Sequence, residues 1–176
     1  MYRTKTYIAA DWTEDKDAVD IIYKWKDSNR LTLDFVDAHS VKQARDSSLN
    51  CSIKKSLRDR LNITKTFVLI VGKNTRSLQS GSCRYCSSYN SYTGSCGKYM
   101  SIDYRSYIDY ECDMAVKDYL NGELKKIVVL YDYANVDKSK CPDSIKHYGI
   151  HESMYYYSET DGKAYWDYKK IKDAIS

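Results

Sequence analysis

Apolar residues in this chain come in short unbroken runs, separated by stretches in which they recur every three or four positions. Thr6-Tyr7-Ile8-Ala9-Ala10 is the first run, a β-prone segment that stops at Asp11-Trp12-Thr13. Helical spacing follows: Ala18, Ile22 and Trp25 share one stripe, flanked by Val19 and Ile21, with Asp and Lys filling the other face. Thr13 with acids just after it reads as the start of that helix. Residues 31–36 predict a second short strand, ended by Asp37-Ala38-His39-Ser40. Ile53, Leu57 and Leu61 stand at i, i+4 and i+8, which predicts a helix with Lys54, Lys55, Arg58 and Arg60 facing out. Residues 66–71, Thr-Phe-Val-Leu-Ile-Val, form the strongest strand; it has no polar alternation, so both of its faces should be covered. A helix opening near Tyr107 leads to a second strand of the same buried type at 126–131. A polar segment with the single proline, Pro142, precedes a weak strand at 154–157 and a last helix at about 165–175.

Strand–helix alternation repeated about five times predicts an α/β fold with a doubly wound parallel sheet. Loop-length rules and right-handed crossovers favour five strands in the flavodoxin-like order 2-1-3-4-5. Ligands in such sheets bind beyond the carboxyl ends of the strands, at the switch point between strands 1 and 3. The segments that would meet there are Asp11-Trp12-Thr13 and the stretch from Lys73 to Glu111, with Asp37-Ala38-His39-Ser40 alongside. At 176 residues with no long linker, the chain reads as one domain, 1–176, able to bury a sizeable core.

Composition changes this picture in one respect. There are 19 tyrosines against 2 phenylalanines. Tyrosine packs its ring and keeps its hydroxyl wet, so many of these should sit at the core edge or line a polar crevice. The net charge of +4 is modest and basic residues alternate with acids, so a nucleic-acid partner is not expected. No apolar run reaches the roughly 18 residues that span a bilayer, and the N-terminus has no signal-peptide core. The expectation is therefore a cytoplasmic protein without membrane association.

Residues 76 to about 104 are rich in Ser, Gly and Tyr and form a long insertion after strand 3. Loops beyond about 12–15 residues are more often functional or mobile, so this one reads as a lid over the switch point or as a tolerated surface insertion. Within it Cys83-Arg84-Tyr85-Cys86 gives a CxxC pair, with Cys96 ten residues on. Three cysteines suit tetrahedral zinc with one ligand still to be found among Cys112, the histidines or a carboxylate; the alternative is unligated thiols. Six cysteines in a chain read as non-secreted argue for thiols or metal ligands over a disulfide frame.

Several short motifs together resemble a known family. They are the acidic turn of Tyr7-Ile8-Ala9-Ala10-Asp11-Trp12 and the segment Asp34-Phe35-Val36-Asp37-Ala38-His39-Ser40. With them go Thr66-Phe67-Val68-Leu69-Ile70-Val71-Gly72-Lys73-Asn74-Thr75 and the aromatic-x-x-aromatic-Glu stretch Tyr107-Ile108-Asp109-Tyr110-Glu111. Over roughly residues 5–132 the chain resembles the bacterial TIR-like domains of the ThsB type, the sensor component of the Thoeris anti-phage system. The resemblance implies a flavodoxin-like fold and cleavage of NAD as substrate at the nicotinamide–ribose bond. It implies a cyclic ADP-ribose-type product that signals to an effector protein, a phage-derived trigger and a homo-oligomer. It puts the catalytic glutamate at Glu111 with aromatic positions at Tyr107 and Tyr110, and it matches the acidic turn at Asp11. Trp12 and His39 join Asp11 and Tyr107 as candidate substrate contacts. The long insertion departs from the compact members of that family.

The chemistry tolerates a sparse site. Nicotinamide leaves as a neutral molecule from a cationic pyridinium, so no general acid is required. One carboxylate in a partly dry pocket can support oxocarbenium character on the ribose. Other readings of the same residues stay open. A glutamate near a helix start is favoured by the helix dipole alone. Asp11 could cap the first helix, Asp37 reads as a turn residue, and His147 and His151 default to the surface. A non-catalytic TIR-like adaptor that binds a ligand or protein partner is the second function class, since fold alone assigns no activity. A receiver domain would need an aspartate where this chain has Val71-Gly72-Lys73, and no dinucleotide or P-loop fingerprint follows strand 1.

Overall fold

A computed structural model describes residues 3–31, 33–38, 49–98 and 100–176. Its centre is a parallel sheet of four strands: β1 (Lys5–Ala9), β2 (Thr64–Val71), β5 (Lys126–Tyr131) and β6 (Ile150–Ser153), in the order β1-β2-β5-β6. Two small antiparallel hairpins stand apart from it, β3 (Tyr89–Asn90) with β4 (Ser95–Cys96) and β7 (Tyr155–Tyr157) with β8 (Ala164–Trp166).

Alternation along the central strands builds two cores. Tyr7, Ala9, Phe67, Leu69, Val71, Ile127, Val129 and Tyr131 point to one face. There they meet α2 (Asn50–Leu61) and α3 (Tyr107–Leu120) through Leu57, Leu61, Ile108, Cys112 and Ala115. Ile8, Val68, Ile70, Val128 and Leu130 point to the other face, against α1 (Lys16–Lys26) and α4 (Tyr168–Ile175). Both faces of β2 are thus covered, as its unbroken apolar run requires. The predicted stripe of α1 is the buried one: Ala18, Val19, Ile22 and Trp25.

Three expectations are corrected. Residues 33–37 carry no strand among the described residues. Among the described residues they run beside β1 with a single parallel bridge, Thr6 to Asp37, and one backbone hydrogen bond, Thr6 N to Val36 O at 2.8 Å. Leu33 and Phe35 are buried while Asp34 and Val36 face out. The segment therefore has a strand's alternation without its ladder. The C-terminal strand of the sheet is β6, four residues before the predicted one, and residues 155–157 pair instead with β8. Lys54 and Arg60 do not face out: they are 5% and 4% exposed. No helix among the described residues is long and apolar enough to cross a membrane.

Candidate functional site

Among its described residues the segment between β2 and α3 holds two 3₁₀ turns and the β3–β4 hairpin, and it ends at Ser106. The Ser106 hydroxyl accepts from Asp109 N at 3.0 Å and so caps α3. The acid in the first helical turn is Asp109. Glu111 comes two residues later, on the stripe of Ile108, Cys112 and Ala115, and is 6% exposed. Helix-dipole preference accounts for Asp109 and leaves the inward placement of Glu111 unexplained.

Glu111 forms part of the wall of a cleft of about 750 Å³ beyond the carboxyl ends of β1 and β2. Asp11 and Trp12 enter it directly after β1, Tyr107 from the first turn of α3, and Arg60 from the last turn of α2. Four sequence-predicted site residues, Asp11, Trp12, Tyr107 and Glu111, are therefore brought to one cavity. His39 lies outside the described residues. Asp37, read as a turn residue, also lines the cleft and accepts from the Tyr23 hydroxyl at 2.8 Å.

Each wall residue has a local cause. Asp11 Oδ1 accepts from Thr13 N at 3.1 Å, so its carboxylate shapes the turn before α1 as well as facing the cleft. The Trp12 ring, 47% exposed, lies 6.0 Å from the Tyr23 ring at the rim. The Tyr107 hydroxyl donates to Asn50 Oδ1 at 3.0 Å. Gly81, at φ +97°, lies under the Tyr107 ring, and a Cβ there would come within 2.5 Å of it.

Electrostatics centre on Glu111. Burial pushes its carboxyl up to about 7, against the hydrogen bond from Tyr7 and the charge of Arg60. The Tyr7 hydroxyl, on β1, donates to Glu111 Oε1. Burial and then Glu111 raise the Tyr7 phenol well above its ordinary value, so it stays a donor. Arg60 Nε is buried and without a hydrogen-bond partner among the described residues, as is Asp15 Oδ2. Tyr7, Tyr23 and Arg60 were not anticipated from the sequence. Tyr7 is a polar group inside an apolar run, and Arg60 stands three residues after Leu57 on the buried stripe; those were the signals available.

A second anchor holds the approach to α3. Lys54 Nζ donates to Arg105 O at 2.7 Å, pairs with Asp103 Oδ2 at 3.2 Å and lies 5.6 Å from the Tyr110 ring centre. Burial works against the Asp103 carboxylate, but Arg105 and Lys54 hold it down at about 2. The buried ammonium thereby fixes the chain just ahead of the helix that carries Glu111.

Cys83, Cys86 and Cys96 do come together, lining a small cavity with Cys51 of α2, while Cys112 lies in the core under the sheet. All six thiols are free, and among the described residues no three His, Cys, Asp or Glu side chains are arranged to hold a metal ion. His151 is partly buried on β6, its Nδ1 2.9 Å from the Tyr131 hydroxyl and its Nε2 3.1 Å from Tyr148 O. Another cleft of about 740 Å³, near Lys65 and Lys125, lies by the amino ends of β1, β2 and β5. Its two arginines are occupied, Arg3 by Asp118 and Glu123 and Arg58 by Asp118.

Residues 7–80 match the family described as Thoeris protein ThsB, TIR-like domain. The matched stretch covers Tyr7, Asp11, Trp12 and Arg60 and stops short of Tyr107 and Glu111. No curated protein matches the chain.

Proposed function

We propose that the protein is a defence-associated TIR-like domain of the Thoeris ThsB type, the family that residues 7–80 match, and that it cleaves NAD at the nicotinamide–ribose bond, with Glu111 as the working carboxylate. The observation that carries this reading is Glu111 itself. It is a buried acid, pushed up to about 7, in the wall of a cleft that also takes Asp11, Trp12 and Tyr107. A carboxylate with no role would cost less at the surface.

In the proposed reaction the nicotinamide stacks against an aromatic wall and the ribose lies over Glu111. As the glycosidic bond lengthens, the ribose gains positive charge, which the carboxylate stabilises in a partly water-free cleft. Nicotinamide departs neutral. The ADP-ribosyl cation left behind is then captured at C1′ by water, giving ADP-ribose and a proton, or by a second nucleophile of its own when water is kept out, giving a cyclic product and a proton. We assign the second outcome, a cyclic ADP-ribose-type signal, as the product that reaches an effector protein in the cytoplasm. A phage-derived trigger and self-association complete the proposal.

The test is incubation of concentrated protein with NAD, alone and in lysate from phage-infected cells, with products separated by chromatography and weighed by mass spectrometry. Nicotinamide together with a product 18 mass units (about one water) lighter than ADP-ribose is the expected result. NAD bound but recovered intact under both conditions would favour the non-catalytic binding module instead.

A further inference from the structure

We propose that Tyr7 and Arg60 are positioning residues: Tyr7 holds the Glu111 carboxylate through one oxygen, Arg60 places a positive charge in the same cleft wall, and the other oxygen is left to the ligand in the cleft. The inference deepens the NAD-cleaving reading and rests on it for the identity of that ligand.

The geometry begins with a ring that has no room to move. Tyr7 is 1% exposed and lies on Phe67, with ring centres 5.8 Å apart and planes 12° from parallel. Its hydroxyl reaches Glu111 Oε1. Glu111 Oε2 receives no hydrogen bond from a described residue, yet it is not one of the buried unpartnered atoms, which are Asp15 Oδ2 and Arg60 Nε. It therefore touches the open space of the cleft. One carboxylate oxygen is held by the sheet, and the other is free to accept a ribose hydroxyl.

Arg60 supplies the charge behind this arrangement. Its guanidinium comes from α2, lines the same cleft and acts on both Tyr7 and Glu111. Leaving Nε buried and unpaired is unfavourable, and an apolar residue on that helix stripe would avoid it. A cation placed against the phenol–carboxylate pair gives the position a purpose. The groups that face Glu111 are Tyr7 from β1, Arg60 from α2 and the neighbouring Cys112 of α3, whose thiol burial keeps protonated.

The experiment compares wild type with Tyr7→Phe, Arg60→Met and Arg60→Lys by two readouts. The first is the NMR titration of ¹³C-labelled glutamate carboxyls, with the Glu111 signal identified by its loss in Glu111→Gln. The second is nicotinamide release against pH. Tyr7→Phe keeps the ring and its stacking, so the fold should persist, and thermal melting checks that. The Glu111 midpoint should rise by about one unit in Tyr7→Phe and Arg60→Met and return towards wild type in Arg60→Lys. Nicotinamide release should fall about tenfold at pH 6.5 and recover at high pH. An unmoved midpoint in folded Tyr7→Phe and Arg60→Met overturns the assignment, whatever the activity. A midpoint that moves in protein releasing no nicotinamide supports the positioning role and refutes only the NAD-cleaving reading.

Discussion

The Tyr7 hydroxyl on β1 donates to Glu111 on α3 across 104 residues of chain, tying the acid of the cleft to the central sheet. Because this bond lies in the core, the ionisation of Glu111 and the stability of the fold are linked.

The sign of that linkage can be measured. Glu111 in the folded protein titrates at about 7, above its value in an unfolded chain. Its contribution to stability is full below about pH 4 and is lost as pH rises through 7. Glu111→Gln should therefore be more stable than wild type by about 2–3 kcal/mol at pH 8 and equal to it near pH 4. Urea unfolding at the two pH values tests this.

Asp15 follows the same sign through a different contact. Burial pushes its carboxyl up to about 6, with Asp11, Asp132 and Glu14 adding to the rise. Its Oδ1 occupies the space a side chain at Gly72 would need: a Cβ there would sit 1.7 Å away. Asp15→Asn preserves that shape and should stabilise the protein by about 1–2 kcal/mol at pH 7.5, with the gain gone below pH 4. Melting temperatures across that range should converge as the pH falls.

Lys54 is expected to act on the approach to α3. Lys54→Met removes a buried cation from Asp103 and from Arg105 O and should cost about 2 kcal/mol. Amide exchange should quicken mainly at residues 103–106, while β1 and β2 stay protected.

Trp12 lies at the rim with its ring half exposed, so Trp12→Ala should leave the melting temperature nearly unchanged. Loss of a stacking surface is worth about 1–3 kcal/mol, so the KM for NAD should rise at least fivefold with a smaller change in kcat. Steady-state kinetics separates the two parameters.

Much of this arrangement can be read from the residues, for identifiable reasons. The unbroken run of β2 has to be buried on both faces, and the Ala18, Ile22 and Trp25 stripe can make only one kind of helix. The rule that ligands meet the carboxyl ends of parallel strands brings Asp11, Trp12, Tyr107 and Glu111 to one place before any contact is known. Long-range partners are what sequence spacing leaves out. Lys54 and Arg60 read as solvent-facing because the groups that receive them, Arg105 O with Asp103 and the Tyr7–Glu111 pair, lie about 50 residues away. Tyr7 reads as one apolar residue among others because only its hydroxyl, at the far end of a buried ring, touches the site. Residues 33–37 alternate like a strand, but the ladder that defines one depends on how closely the neighbouring edge approaches. Cys51 joins Cys83, Cys86 and Cys96 only once α2 has packed beside the segment that follows β2.

The central claim is that Glu111 is buried for its chemistry. The most direct test measures nicotinamide release and melting temperature on the same preparations of wild type and Glu111→Gln at pH 8. Release by wild type alone, with the glutamine variant melting higher, is the predicted result. Equal release from both, or a glutamine variant that melts lower than wild type, would contradict it.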